Sequence, residues 1–303
     1  MEQYSGQLAA IGAACFFAVN TTILARAGKQ LGSVIAVRGA IALALIWVTI
    51  LHTLTIAWPD LSKVELYRLG YLFASGVVGF GFGAVFMTMA LVRLGPRLSS
   101  LIVALSPVFS SIMAWIFFAE ELAPSKYMGI ALTLAGIAFV VTEKRPKAKD
   151  VALDIEPRDY FLGMLFAVLT AFFQSTVFVL NRVGAEGDFP ALTGTLIRLL
   201  GGVIILWVVA LLRREFISTI KTYAKSMSGM RLLLLSSILG PTIGVSLVIV
   251  AVQQAPVGIA SALSNLTPII LVPISHFFLG ERISIRAVIG TLIAVLGTII
   301  IFV

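Results

Sequence analysis

The side chains of this chain best placed to do chemistry are uncharged hydrogen-bonding groups set inside long apolar runs. Asn20 stands in the first such run and Gln174 in the sixth. Ser261, Ser264 and Asn265 precede Pro268 at spacings of three and four, which puts all of them on one helical face. A carboxamide or a hydroxyl can both donate and accept, and in an apolar surrounding it needs a partner. A row of such groups suits binding a small polar solute without transforming it. The plain alternative is that the hydroxyls bond their own helix or a neighbour; the amides, with several bonds to satisfy, fit that alternative less well.

Charge placed clearly inside the apolar runs, away from their ends, is confined to Arg38 and Arg198. Each lies one to two turns in from a run's start. An intramembrane guanidinium is a functional candidate because it can draw a carboxylate or phosphate toward the mouth of a path. The alternative is that each only snorkels and sets the height of its helix. Glu120 and Glu281 fall in short turns just before an apolar run resumes, where an acid interacts well with the positive end of a helix dipole. Pro124 and Ser284 suit the starts of those runs, so the two acids are expected to be structural. His276, near a run's end, is a poor proton relay.

Catalytic signatures are missing from the sequence. There is no HExxH, no GxSxG, no acidic or His cluster spaced for a metal, and no phosphate-binding loop. The expectation is a chain that is not an enzyme and has no cofactor, no metal and no ATPase subunit. The one cysteine, Cys15, excludes an internal disulfide.

The elements that must hold these groups are membrane spans. Of 303 residues, 59% are hydrophobic and 12% charged, with a mean hydropathy of +1.06. A soluble domain carries about twice that charge. Ten apolar runs, each able to cross a hydrocarbon layer about 30 Å thick, read as 7–26, 33–57, 67–91, 97–119, 125–143, 160–181, 190–212, 230–252, 257–279 and 284–303. The first lacks a basic leader and a small-residue cleavage site, so it reads as a retained helix. The net charge of +8 reflects loop Lys and Arg and does not indicate nucleic-acid binding. Residues 213–229 read as an amphipathic helix on the membrane surface, with Phe216, Ile220 and Tyr223 toward lipid.

The runs repeat. At an offset of about 161 residues, Ser100 falls on Ser261, Pro107 on Pro268, Phe117 on Phe278, Glu120 on Glu281, Gly129 on Gly290 and Gly136 on Gly297. Gly83 and Ala90 match Gly244 and Ala251, and with small shifts Arg38 matches Arg198. The chain divides into a five-span unit at 1–143, a charged linker at 144–158 and a second unit at 159–303. Five spans per unit is odd, so the second unit enters the membrane upside down, as in many secondary transporters. The fold class is therefore an all-α integral membrane protein of ten helices in two inverted repeats. Assigning the loops alternately to two sides leaves only Lys63, Arg68, Lys126 and Arg182 on one of them. The basic side should be cytoplasmic, with both termini outside.

Pro107 and Pro268 fall at matching places within spans four and nine, and Pro273 adds a second proline to span nine. A mid-helix proline loses one backbone bond and frees the carbonyl four residues earlier, here that of Val103, Ser264 or Ile269. In lipid such a carbonyl must face protein, water or solute. The pair reads either as gating kinks that line a path or as static packing kinks.

The segments SPVFSSIMAWIFFAEEL and TPIILVPISHFFLGERI, at matching places of a doubled five-helix unit, resemble the EamA-type branch of the drug/metabolite transporter superfamily. The resemblance covers almost the whole chain. It implies a ten-helix carrier whose internal cavity opens alternately to either side, moving amino acids, other metabolites or drugs, often outward. The related small multidrug resistance proteins use a glutamate in their first span; the first span here has no acid, and the chain's acids all fall in loops or at span ends. That disfavours proton-for-cation exchange. The expected function is carriage of amino acids or related metabolites through a neutral cavity in a bacterial inner membrane, by a chain that can work as a monomer. The alternatives are a multidrug or cationic-compound exporter, a lipid flippase and a non-transporting membrane scaffold.

Overall fold

The computed structural model of the chain describes residues 4–55, 65–118, 124–141, 157–185, 189–254, 263–279 and 284–302. Among them every regular element is helical. In the first half these are α1 (Ser5–Leu31), α2 (Ser33–Thr55), α3 (Leu66–Gly76), α4 (Ala84–Leu94), α5 (Pro96–Val103), α6 (Ser106–Phe118) and α7 (Pro124–Val141). The second half has α8 (Pro157–Gly184), α9 (Ala191–Leu212), the short α10 (Phe216–Lys225), α11 (Met227–Ser237), α12 (Val245–Gln254), α13 (Thr267–Leu279) and α14 (Ile285–Phe302). Between α1 and α2 only Gly32 intervenes. Its φ of 90° lets the chain reverse there.

Six stretches are long and apolar enough to cross a membrane: Ser5–Leu31, Ser33–Thr55, Leu66–Leu94, Pro157–Gly184, Ala191–Leu212 and Met227–Ala251. They coincide with the first three expected spans of each half. Pro96–Ser110, Tyr127–Val140 and Ile285–Ile300 are apolar but shorter. The packing is that of a protein in lipid. Small residues form the inner faces, as with Ala10, Ala14 and Ala18 of α1, all 0% exposed. Large apolar residues such as Leu54, Ile116, Phe161 and Ile285 face outward. Without a hydrophobic drive between helices, close approach of backbones has to supply the attraction, and small residues permit it.

The third and eighth spans share an unusual turn. Val77–Gly83 and Ile238–Gly244 are π-helical, and each passes into a normal α-helix at its C-terminal end. Ala84 N–H donates to the Gly79 carbonyl, and Val245 N–H to that of Gly240. Both wide turns start, end and close at the same repeat offset. Pro241, which lacks an N–H, lies inside the second one. π turns are rare and concentrate at functional positions.

The expected proline kinks take a different form. The helix ends at Val103, turns at Ala104–Leu105 and restarts at Ser106 as α6. In the other half the turn is Asn265–Leu266 and α13 restarts at Thr267. Pro107 and Pro268 are thus the second residues of new helices, where a missing N–H costs least. The bonds around the breaks match one for one. Leu105 N–H donates to the Ile102 carbonyl at 3.0 Å and Leu266 N–H to that of Leu263 at 3.1 Å. Pro273 stays inside α13, exposed.

The two halves interlock. α1 packs on α11, α12 and α13 of the other half, and α8 packs on α3, α4, α5 and α6. α7 and α14 lie directly against each other through the matched glycines. A Cβ on Gly136 would strike the backbone of Gly290 and Ala294, and one on Gly297 would strike Gly129 and Thr133. This is a self-complementary contact of the two-fold kind, in which each residue's partner is the repeat-mate of its mate's partner. Gly129 faces Gly297 and Gly136 faces Gly290, so the two helices run antiparallel, as upside-down copies require.

The surface helix differs from expectation in one residue. Phe216 and Ile220 of α10 are exposed. Tyr223 is turned inward, its hydroxyl donating to the Ile35 carbonyl at 2.7 Å and its ring lying against Gly39. Burial pushes the Tyr223 phenol's pKa up, against the opposing pull of Arg38 nearby.

Candidate functional site

The broken helices bring their polar groups to a common locus. Ser106, first residue of α6, directs its hydroxyl at Asn265 Oδ1 over 3.5 Å, a long contact that links the two breaks. The carbonyl of Ser106 accepts a bond of 2.6 Å from Ser175 on α8. Thr267, the repeat-mate of Ser106, donates to the Ser264 carbonyl at 3.3 Å and lies 3.4 Å from the Ala14 carbonyl of α1. The Ser264 carbonyl is the one freed by Pro268, and the Thr267 hydroxyl answers it. Helices from both halves, α1, α6, α8 and α13, therefore converge where the backbone is irregular. Irregular backbone at membrane depth is tolerated where protein or a polar path receives it.

Of the residues singled out from the sequence, Ser264 is buried and Asn265 half-buried at this locus. Gln174, beside Ser175, is half-buried, and its side chain makes no hydrogen bond to a described residue. Asn20 lies farther along α1, about 9 Å from Ala14 at 1.5 Å per residue. It is buried, its Oδ1 accepts from Ser236 at 2.7 Å, and Gly240 of the second π turn lies against its amide. Pro107 and Pro268 are buried at the breaks. Ser261, Glu120 and Glu281 lie outside the described residues.

The two arginines, alike in sequence, have unlike surroundings. Arg38, 2% exposed, donates from Nη2 to Glu215 Oε2 at 2.7 Å and from Nη1 to Thr219 Oγ1 at 3.2 Å. Its charge is answered within the chain. Arg198, 5% exposed, lies over the Phe80 ring with its guanidinium carbon 5.5 Å from the centroid. Its Nε has no hydrogen-bond partner, and among the described residues no carboxylate pairs with it.

Sequence reasoning missed Ser236, Glu215 and Thr219 as partners, and both π turns. The turns had left a signal in the matching pairs Gly79/Gly240 and Gly83/Gly244. The pair of Arg38 with Glu215, 177 residues apart, had left none.

Apolar outward faces, small inner faces and six membrane-length helices define an all-α, multi-pass integral membrane protein. The model of the EamA-like transporter family matches residues 4–142 and again 161–303, and the chain belongs to that family. That family is one of transporters. An uncharacterized transporter of Archaeoglobus fulgidus is 31% identical over 108 residues, 36% of this chain and 36% of that protein. The uncharacterized transporter YdfC of Bacillus subtilis is 24% identical over 140 residues, 46% of this chain and 41% of that one. The matched stretch thus spans about two-fifths of the length of these relatives. A solved crystal structure superposes with a TM-score of 0.57 over 98% of this chain and 95% of its own, at 18% identity, a likeness of fold.

Proposed function

We propose that the protein is a secondary carrier that moves small polar metabolites, amino acids or their relatives, across a bacterial inner membrane by alternating access, in the outward direction. The observation that carries this reading is the matched pair of helix breaks, Ala104–Leu105 and Asn265–Leu266, joined through Ser106 and Asn265. Broken helices from two inverted repeats place irregular backbone and neutral polar side chains between the halves, which is the architecture of a carrier's solute site. Asn265, Ser264, Gln174 and Ser261 border the path. Asn20 supports it from behind through Ser236. The wide turns of spans three and eight, packed on α8 and α1, are suited to let those helices shift.

The cargo is neutral, zwitterionic or anionic. No acid falls within the interior of a span, so a naked cation has no counter-charge there. This sets the multidrug reading second and leaves facilitated diffusion or exchange as the mode. The ten spans divide at the 144–158 linker, both termini lie outside, Glu120 and Glu281 serve as turn acids, and one chain suffices for transport.

The test is counterflow of radiolabelled amino acids in proteoliposomes. Asn265→Leu abolishes exchange while expression and thermal unfolding stay near wild type. Undiminished exchange in that variant removes Asn265 from the path. Absence of exchange for every solute, with lipid scrambling instead, transfers the protein to the flippase reading.

A further inference from the structure

The contrast between the two arginines carries an inference about what the cargo must bear. Arg198 is the eighth residue of α9, about 10 Å into the helix at 1.5 Å per residue. It is inside the membrane-spanning part and almost completely buried. A guanidinium stays charged in any protein setting. Burying one without a counter-charge is costly. A desolvated cation–π contact is weaker than that cost. The Phe80 ring 5.5 Å away therefore offsets only part of the cost.

The fold itself shows what completes such a site. Arg38 stands at the matching place of the other repeat, and there the group that meets the guanidinium is a carboxylate, Glu215, at 2.7 Å. Glu215 belongs to the segment that precedes α10, in a connection of the second half. Near Arg198 the corresponding space is bounded by the first π turn. The guanidinium carbon lies over the Phe80 ring, and Gly79 approaches without a side chain; a Cβ there would stand 3.9 Å from Nη2. The fork donates to no described residue, and two parallel N–H donors fit a carboxylate.

We infer that Arg198 is a carboxylate-binding subsite of the transport path, completed by the cargo as Glu215 completes Arg38. This rests on the carrier reading above and narrows its substrate class to solutes with a free carboxylate. At 5% exposed, the guanidinium takes its anion in a state more open around it than this one.

The full-length protein in detergent is heated with sodium acetate, L-alanine, L-alaninamide or sodium chloride, all at matched ionic strength. A ligand at about ten times its Kd raises Tm by roughly 2–5 °C for a chain of this size. The expected result is a rise with acetate and alanine, and none with alaninamide or with chloride. Arg198→Gln removes the response. Arg198→Lys, which keeps the charge and loses the fork, weakens it, and Arg38→Gln retains it. Any of three results overturns the assignment: no response to acetate and alanine in the wild type, an equal response in Arg198→Gln, or a response to chloride alone. Amino-acid exchange in proteoliposomes that survives such a result leaves the carrier reading standing and removes only Arg198 from its site.

Discussion

Replacement of Glu215 by Gln isolates the charge that holds the surface helix to span two. Arg38 is 2% exposed, and its guanidinium has two bonds into this region, to Glu215 at 2.7 Å and to Thr219 at 3.2 Å. Loss of one partner of a fully buried pair costs about 3–5 kcal/mol. Glu215 is 41% exposed, so water softens its side of the pair. The scale is therefore that of a single hydrogen bond to a charged group, about 1.5–3 kcal/mol. The Gln variant, which keeps an acceptor oxygen, belongs at the low end and Glu215→Ala at the high end. Arg38→Met removes the charge and fills the space, so the double variant Arg38→Met with Glu215→Gln should be more stable than Glu215→Gln with Arg38 retained. Denaturant unfolding in mixed micelles gives these differences. Trp207, whose ring is 5.4 Å from that of Phe216, reports release of α10 by its fluorescence. If the effects of the two single substitutions simply add, or if Glu215→Gln costs under about 0.5 kcal/mol, the pair does not bind the helix down.

Other consequences are open to direct measurement. Gly136→Leu and Gly297→Leu force a side chain into the α7–α14 contact and should each cost at least the overpacking penalty of about 1–3 kcal/mol, seen as loss of folded yield, whereas Gly70→Leu, with nothing within 4 Å of its Cβ position, should be tolerated. Cysteines placed at Lys147 and Lys221 should resist an impermeant thiol reagent in intact cells and react in inverted vesicles; ready labelling from outside reverses the assigned orientation. An imposed pH gradient should leave solute accumulation unchanged, and gradient-driven uptake that vanishes in Glu120→Gln or Glu281→Gln would make the turn acids coupling residues.

Prolines and glycines made much of the architecture legible, because each restricts the backbone in a way few neighbours can undo. Pro107 with Pro268 and Gly136 with Gly297 revealed the repeat, and the structure puts each pair to a shared use. The form of the break was less legible. A proline frees a carbonyl wherever it stands, but whether the helix bends or restarts depends on what surrounds the break, and the contacts of Thr267 with the Ala14 carbonyl and of Ser175 with the Ser106 carbonyl come from distant parts of the chain. The α10 face failed for a related reason. Phe216, Ile220 and Tyr223 share a stripe by period, yet Thr219 and Tyr223, four apart, are the pair that meets α2. Amphipathic period alone cannot tell a lipid from a protein when both offer apolar surface. The solute locus was legible as a set of residue types, whereas its connections, Ser106 with Asn265 and Asn20 with Ser236, join residues too distant in sequence for any local pattern.

The interlocking of the halves bears on how the chain matures. Ser106 leaves the ribosome 69 residues before Ser175, the group that bonds its carbonyl. At about 5–20 residues per second, that is a wait of roughly 3–14 s. During it the helices of the first half sit in the bilayer with the faces that will receive α8 still turned to lipid or to the insertion machinery. The same holds for the glycine face of α7, whose partner α14 follows every other described helix of the second half. Assembly therefore waits until the second half has been made, and a chain stalled after its linker would present an unfilled groove shaped for the missing half. A second polypeptide carrying only the later helices, made separately, should be able to fill it.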